Sequence, residues 1–350
     1  MFFEWWKFLV KEIETNKENC LRKYNDISCE NCLKVCRAEA ISLTSDGIII
    51  NKKNCSLCGL CIVNCPAEVI KCNFKPYGFL RDNDFVYLCQ NSLGGGFSSC
   101  LGQVDIGHIL FPFFSDKIDK VILSPGDCDK CFPQVGIELK KRVEICNKIL
   151  KHFCKDRKII LEPFLVKSFK RAEVVNFYKD RVLENLKDEV FLSLSGMFNY
   201  QKKRLLIEAL KALGEIREEY VEESLAPWWE MEIDARKCNF CGVCFKICPS
   251  KSLFFREENN IGSIYQKPSE CSKCSLCVKI CPQNAIKYLL KNNIRVFIGE
   301  KDIFLVKGQL KRCLSCNSLI LDNSEEIKCI NCRKTEILNK DIRELLKTMN

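Results

Sequence analysis

The chain has 350 residues, 47% of them hydrophobic and 29% charged, the balance of a globular protein with room for roughly two to three domains, which excludes a disordered tail and a membrane bundle. Its 27 cysteines against 2 histidines, without a charged leader and cleavage site at the start, argue against a secreted disulfide scaffold and for an intracellular metalloprotein. A histidine-based zinc site or catalytic triad would have to be built from His108 and His152 alone, so hydrolases start poorly. The formal charge of +10 suggests nucleic acid or an acidic membrane surface until the cysteines are considered.

In chain order, Phe2, Trp5, Trp6, Leu9 and Ile13 share one helical face, which predicts an amphipathic helix over 1–19 that packs in the core or docks a partner. A cysteine-dense block follows over 20–76. Within it, Ala40-Ile41-Ser42-Leu43 and Ile48-Ile49-Ile50 flank Ser45-Asp46-Gly47, a short hairpin with a glycine turn. Phe85-Val86-Tyr87-Leu88 and Lys120-Val121-Ile122-Leu123 read as buried strands, and apolar spacing predicts helices over 136–153 and 169–187. Strand alternating with helix gives a small α/β domain over 84–165. A helix over 201–213 and the acidic run Glu215, Glu218, Glu219, Glu222, Glu223 make 166–230 a helical linker with a solvated face. The second dense block, 231–292, repeats the first: Leu253-Phe254-Phe255 and Ile264-Tyr265 flank Asn259-Asn260-Ile261-Gly262. A last domain covers 300–350. No run of eighteen apolar residues occurs, so no transmembrane helix is expected.

Three stretches spell C-x2-C-x2-C-x3-C-P: Cys55, Cys58, Cys61, Cys65 and Pro66; Cys238, Cys241, Cys244, Cys248 and Pro249; Cys271, Cys274, Cys277, Cys281 and Pro282. Three cysteines at i, i+3 and i+6 on a tight loop present three sulfurs to one face of an iron–sulfur cubane, and the fourth reaches a neighbouring cluster. Gly59 and Gly242 remove a side chain where the backbone comes close, and the proline fixes the chain as it leaves. Cys313-x2-Cys316 and Cys329-x2-Cys332 form two knuckles suited to a tetrahedral S4 site, read as structural zinc. Asn317 and Arg333 stand where a rubredoxin-like iron site usually carries glycine.

On these motifs, residues 20–72 and 238–290 resemble two bacterial-type ferredoxin domains, each built for two 4Fe-4S clusters. The resemblance implies that Cys238, Cys241, Cys244 and Cys281 hold one cluster, and Cys271, Cys274, Cys277 and Cys248 another. The first block departs from the pattern: Cys29-x2-Cys32-x3-Cys36 is followed by Arg37, and Asp26 stands where the first cysteine belongs. Cys20 looping back is the favoured repair, because cysteine is the softer ligand and a longer loop costs little closure entropy; Asp26 ligation or a three-iron cluster is the other. The sets are then Cys20, Cys29, Cys32 with Cys65, and Cys55, Cys58, Cys61 with Cys36. Four oxidised cubanes and one zinc tetrathiolate, each about −2 with its thiolates, would offset the +10, so nucleic acid is not the expected partner.

Cys89, Cys100, Cys128 and Cys131 follow two strands and two glycine-containing loops, which would gather them on one sheet edge. Their layout is similar to the small iron–sulfur subunit of hydrogenase and heterodisulfide-reductase complexes, which implies a 2Fe-2S centre. A redox-active disulfide pair and unliganded thiols are the other readings. Cys72, Cys146 and Cys154 read as buried spectators, and the two histidines as structural. The fold class expected is α+β multidomain: two ferredoxin-like modules, a central α/β domain, a helical linker and a zinc ribbon. The expected function is cytoplasmic electron relay through four 4Fe-4S clusters, between redox partner proteins or inside a larger oxidoreductase complex. The alternatives are an oxidoreductase subunit in which the middle cysteines reduce a disulfide or sulfur compound, and a nucleic-acid-binding module with structural clusters.

Overall fold

A computed structural model describes residues 13–23, 29–72, 77–89, 100–162, 201–317, 319–321, 328–329 and 332–340. The chain divides into one unit of residues 1–226 with 293–299, and a second of 227–292 with 300–350.

In the first unit, strand β1 (Ile13–Thr15) pairs antiparallel with β4 (Ile70–Cys72), and β2 (Ile41–Thr44) forms a hairpin with β3 (Gly47–Ile50). Short helices Asn31–Val35 and Leu60–Asn64 carry cysteines between these strands. Ile13, Ile41, Ile48, Val69 and Ile70 close one core with Cys20, Cys32, Cys61 and Cys65. The helix expected over 1–19 is corrected here: residues 1–12 lie outside the described residues, and Ile13–Thr15 is extended. Its backbone is claimed by the edge of β4, which ties Ile13–Thr15 to the block that holds Cys20 to Cys72.

The central sheet has the order β5 (Tyr77–Arg81), β6 (Asp84–Leu88), β7 (Lys120–Ser124), β8 (Lys158–Leu161), with β5 antiparallel and the rest parallel. The parallel strands are nearly continuous apolar runs, as burial on both faces requires. The helix Pro133–Leu150 crosses from β7 to β8 with Val135, Leu139, Cys146, Ile149 and Leu150 buried. Between β6 and β7, Asp105 caps the helix Ile106–Leu110 by accepting from His108 N, and its Oδ1 lies 2.7 Å from His108 Nδ1. His152 is similarly occupied by Glu218, so both histidines are structural in this fold.

The helix expected over 169–187 lies outside the described residues. The helix expected over 201–213 forms as Lys202–Ala212, but it is no linker: Leu205, Leu206, Ile207, Ala209 and Leu210 are buried within the first unit. Its first residue anchors it to the ferredoxin-like module. Lys202 Nζ donates to the carbonyls of Ile62, Val63 and Cys65 at 3.1, 3.0 and 2.7 Å, and its backbone N donates to Glu68 Oε2 at 3.0 Å. An ammonium on the last carbonyls of Leu60–Asn64 satisfies groups the short helix leaves open and complements its dipole. Strand β9 (Tyr220–Glu222) follows.

In the second unit, β10 (Met231–Ile233) pairs antiparallel with β13 (Ile286–Tyr288), and β11 (Leu253–Glu258) with β12 (Ile261–Gln266). The terminal strand pair and inner hairpin reproduce those of the first module, so the repeat read in the sequence is a repeat of structure. After β14 (Lys291–Asn293), the long strand β15 (Ile303–Arg312) adds to β12, pairs with β16 (Leu319–Leu321), and leads directly into Cys313. The 300–350 domain is thus joined to the second module by a shared sheet.

Candidate metal centres

Each dense block gathers its thiols in two groups. Cys20, Cys29, Cys32 and Cys65 line one cavity, closed by Ile48, Pro66 and Val69. Burial raises the Cys29 thiol, and raises Cys32 to about 11 together with Cys65, Cys29 and Cys20. Cys61 is raised by burial and by Cys58, Cys55, Cys36 and Cys32. In the second unit, Cys238, Cys241, Cys244 and Cys281 line a cavity with Phe240 and Ile264. Cys277 is raised by burial and by Cys271, Cys274, Cys248 and Cys244. Two cavities thus bring the last cysteine of one run, Cys65 or Cys281, together with thiols from elsewhere in its block. Asp26 lies outside the described residues.

Buried thiols in sets of four fit an iron–sulfur cluster by the chemistry of the donor set, because the metal replaces protons that burial otherwise holds in place. Backbone donors are arranged alike in both modules. Val69 N donates to Cys65 Sγ at 3.5 Å, and Ala285 N to Cys281 Sγ at 3.3 Å, each four residues beyond its cysteine. The residue after the second cysteine of each intact run is left-handed: Gly59 at φ 76°, Gly242 at 73° and Ser275 at 63°. Glycine is favoured there by this backbone conformation, and Ser275 shows that a Cβ is tolerated in one copy.

Among the described residues, only Cys313, Cys316, Cys329 and Cys332 bring all their sulfurs within 4.8 Å of one another, and Cys316 Sγ lies 3.7 Å from Cys329 Sγ. A tetrahedral ion with metal–sulfur bonds of about 2.3 Å spaces its ligands about 3.8 Å apart, so this set fits one ion. Backbone N–H donors, from Cys329 first, draw the Cys313 thiol down to about 6. Replacing Cys313 or Cys329 by serine is expected to release about one zinc and loosen the region 301–335 while every redox wave is retained. Metal analysis with voltammetry checks this, and a lost wave would assign iron.

The middle cysteines sit at the carboxyl edge of the parallel strands. Cys89 directly follows β6 and donates its N–H to Ser124 O at 3.1 Å; Cys128–Cys131 is a single helical turn after β7. Cys100 is raised by its contact with Cys89, then by burial, Cys89 again and Cys58. Cys128 is pushed up to about 11 by burial, then by Cys89, Cys131, Asp129 and Asp127. Burial increases from exposed Cys131 through Cys128 to buried Cys89 and Cys100, and the turn that Cys100 opens packs on the backbone of Cys58 through Gly102. Cys146 is fully buried under Arg142 and Asp105, and Cys154 is exposed, so only the former is a buried spectator.

What sequence reading missed is the turn that joins the central domain to the first module. Gly102 packs so tightly that a Cβ would lie 2.2 Å from Cys58 O. Buried Arg142 holds this turn by donating from Nη1 to Gly102 O at 3.0 Å and Val104 O at 2.8 Å. No periodicity or motif marks Gly102, Gln103, Arg142 or Lys202, whose roles exist only across long sequence separations.

The eight thiols, two crossed sets and paired terminal strands of the second module define a ferredoxin-type iron–sulfur domain. Residues 237–285 match the family model of the 4Fe-4S dicluster domain, which supports a role for the chain in iron–sulfur electron transfer. No curated protein matches the chain significantly. Among the described residues, no helix is long and apolar enough to cross a membrane.

Proposed function

We propose that the chain is a multi-cluster electron carrier of a reducing, cytoplasmic compartment, holding four 4Fe-4S clusters, one structural zinc and a further 2Fe-2S centre, and serving redox proteins or a larger oxidoreductase complex. The cubane sets are Cys20, Cys29, Cys32, Cys65; Cys36, Cys55, Cys58, Cys61; Cys238, Cys241, Cys244, Cys281; and Cys248, Cys271, Cys274, Cys277. Zinc falls to Cys313, Cys316, Cys329 and Cys332, and the 2Fe-2S centre to Cys89, Cys100, Cys128 and Cys131. Such clusters supply one-electron chemistry at potentials between about −700 and +450 mV. The protein's own work is to hold thiolates, exclude water and aim N–H groups at sulfur.

The observation that carries this reading is the lining of two cavities by four thiols each, Cys20, Cys29, Cys32, Cys65 in the first unit and Cys238, Cys241, Cys244, Cys281 in the second. The reductase alternative needs an accessible thiol of depressed pKa, and Cys128 is shifted the other way.

Anaerobically purified protein is expected to contain about sixteen irons in cubanes, about two more in the middle site, and about one zinc. Once reduced, it should pass electrons to artificial acceptors without turning over disulfides or sulfur compounds. Iron near eight in reconstituted protein would remove the four-cubane claim. Turnover abolished by Cys128→Ser, with the cubanes retained, would establish the reductase instead.

A further inference from the structure

The turn from Cys100 to Val104 carries one buried group that its protein surroundings leave unsatisfied. Gln103 is only 8% exposed, and its Nε2 has no hydrogen-bond partner among the described residues. A buried amide donor without an acceptor costs about 1–3 kcal/mol, so such a group calls for one. The side chain lies against the cluster loop: a Cβ on Gly59 would meet Gln103 Cγ at 1.9 Å, Cβ at 3.0 Å and Cα at 3.1 Å. Gly59 stands between Cys58 and Cys61, two members of the set with Cys36 and Cys55. The equivalent Gly242 of the second module is covered differently, by Phe245 and Lys246 of the helical turn that follows it. Of these two glycines, Gly59 alone is met by a side chain from outside its own block.

The turn is held rigidly enough to aim the donor. Gly102 touches Cys58 O on one side, and Arg142 binds the carbonyls of Gly102 and Val104 on the other. Cys100 Sγ accepts from Gly102 N at 3.5 Å, which ties the start of the turn to the middle cysteines.

We propose that Gln103 of the central domain is a positioning residue for the first module, its amide N–H donating to sulfur at the site of Cys36, Cys55, Cys58 and Cys61 and raising the reduction potential of that site alone. The inference rests on the cubane reading. An N–H donor to sulfur stabilises the more negative, reduced form, which is one of the ways a protein sets cluster potential. The central domain would then decide where this site stands among four otherwise similar ones.

The test uses the full-length protein, purified anaerobically, with reduction followed by electron paramagnetic resonance. Gln103→Met keeps the length of the side chain and removes the donor; Gln103→Glu keeps the shape and replaces the amide by a carboxylate. Assignment to the site comes from the signal lost or altered in Cys36→Ser. Both variants are expected to keep wild-type iron and to make that one signal harder to reduce. The shift expected is at least tenfold in the reduction equilibrium, about 59 mV for one electron, and larger for Glu than for Met. A full iron content with unmoved potentials overturns the proposal. A shift confined to the middle centre or to another cubane also overturns it. If Gln103→Met loses iron, Gln103→Glu carries the measurement. Wild-type iron near eight would instead defeat the cubane reading on which the inference stands, and iron analysis separates the two failures.

Discussion

Cys20→Ser should empty one of the four cubane sites or convert it to a three-iron form, removing about one to four irons, while Asp26→Ala leaves all four sites filled. Cys20 is 6% exposed and begins a turn packed beneath Gly47, whose Cβ position is 3.5 Å from Cys20 Cβ. Its N–H donates to Lys17 O at 3.0 Å, which fixes the backbone, and the side chain shares a cavity with Cys29, Cys32 and Cys65. Serine fits the space but is a harder, far less acidic ligand, so affinity for iron falls steeply. Iron and sulfide analysis, with the three-iron signal as a marker, reads the result. The opposite pattern would transfer the ligand role to Asp26.

Gly102→Ala is expected to be among the most damaging single-methyl additions in the chain. The new Cβ would fall 2.2 Å from Cys58 O and 3.3 Å from Val135 Cγ2. The first neighbour is backbone that carries a site cysteine, and the turn is bound from behind by Arg142, so neither side yields cheaply. Relieving the clash needs a displacement of about 1 Å, and overpacking of this kind costs about 1–3 kcal/mol or more. The expected outcome is a destabilised first unit with the site of Cys36, Cys55, Cys58 and Cys61 loosened, seen as earlier thermal unfolding and faster loss of iron in air. The second unit serves as internal control, since Gly102 has no counterpart in it. Stability and iron retention equal to wild type would show that the turn is not packed on Cys58 as described.

Ligand grouping was legible because it is local. The spacing of three cysteines across seven residues fixes their arrangement on one loop, whereas the place of the fourth in the neighbouring set is what the ferredoxin resemblance implies. The hairpins were legible from alternation and turn residues, and β6 and β7 from apolar runs bounded by glycine and asparagine. Ile13 misled because a single apolar residue on a helical stripe also suits a strand, and pairing with Cys72, 59 positions away, decided the matter. The helix Lys202–Ala212 was visible, yet its burial was not. Basic residues at its start suggest solvent, whereas Lys202 spends its charge on three carbonyls of the first module.

The sequence by itself determined the cysteine runs with their spacing and the repeat of the dense block, because each follows from covalent spacing over a few residues; the membership of the sets came from the resemblance, with Cys20 and Asp26 as rival ligands. Tertiary structure alone decided that residues 13–72 and the central sheet belong to one unit and that the turn after Cys100 packs on Cys58. It also decided that Gly102, Gln103 and Arg142 build the contact between them. Those features depend on close packing between segments far apart in the chain, where exclusion of volume and satisfaction of buried donors choose the arrangement and leave no periodic trace in the sequence.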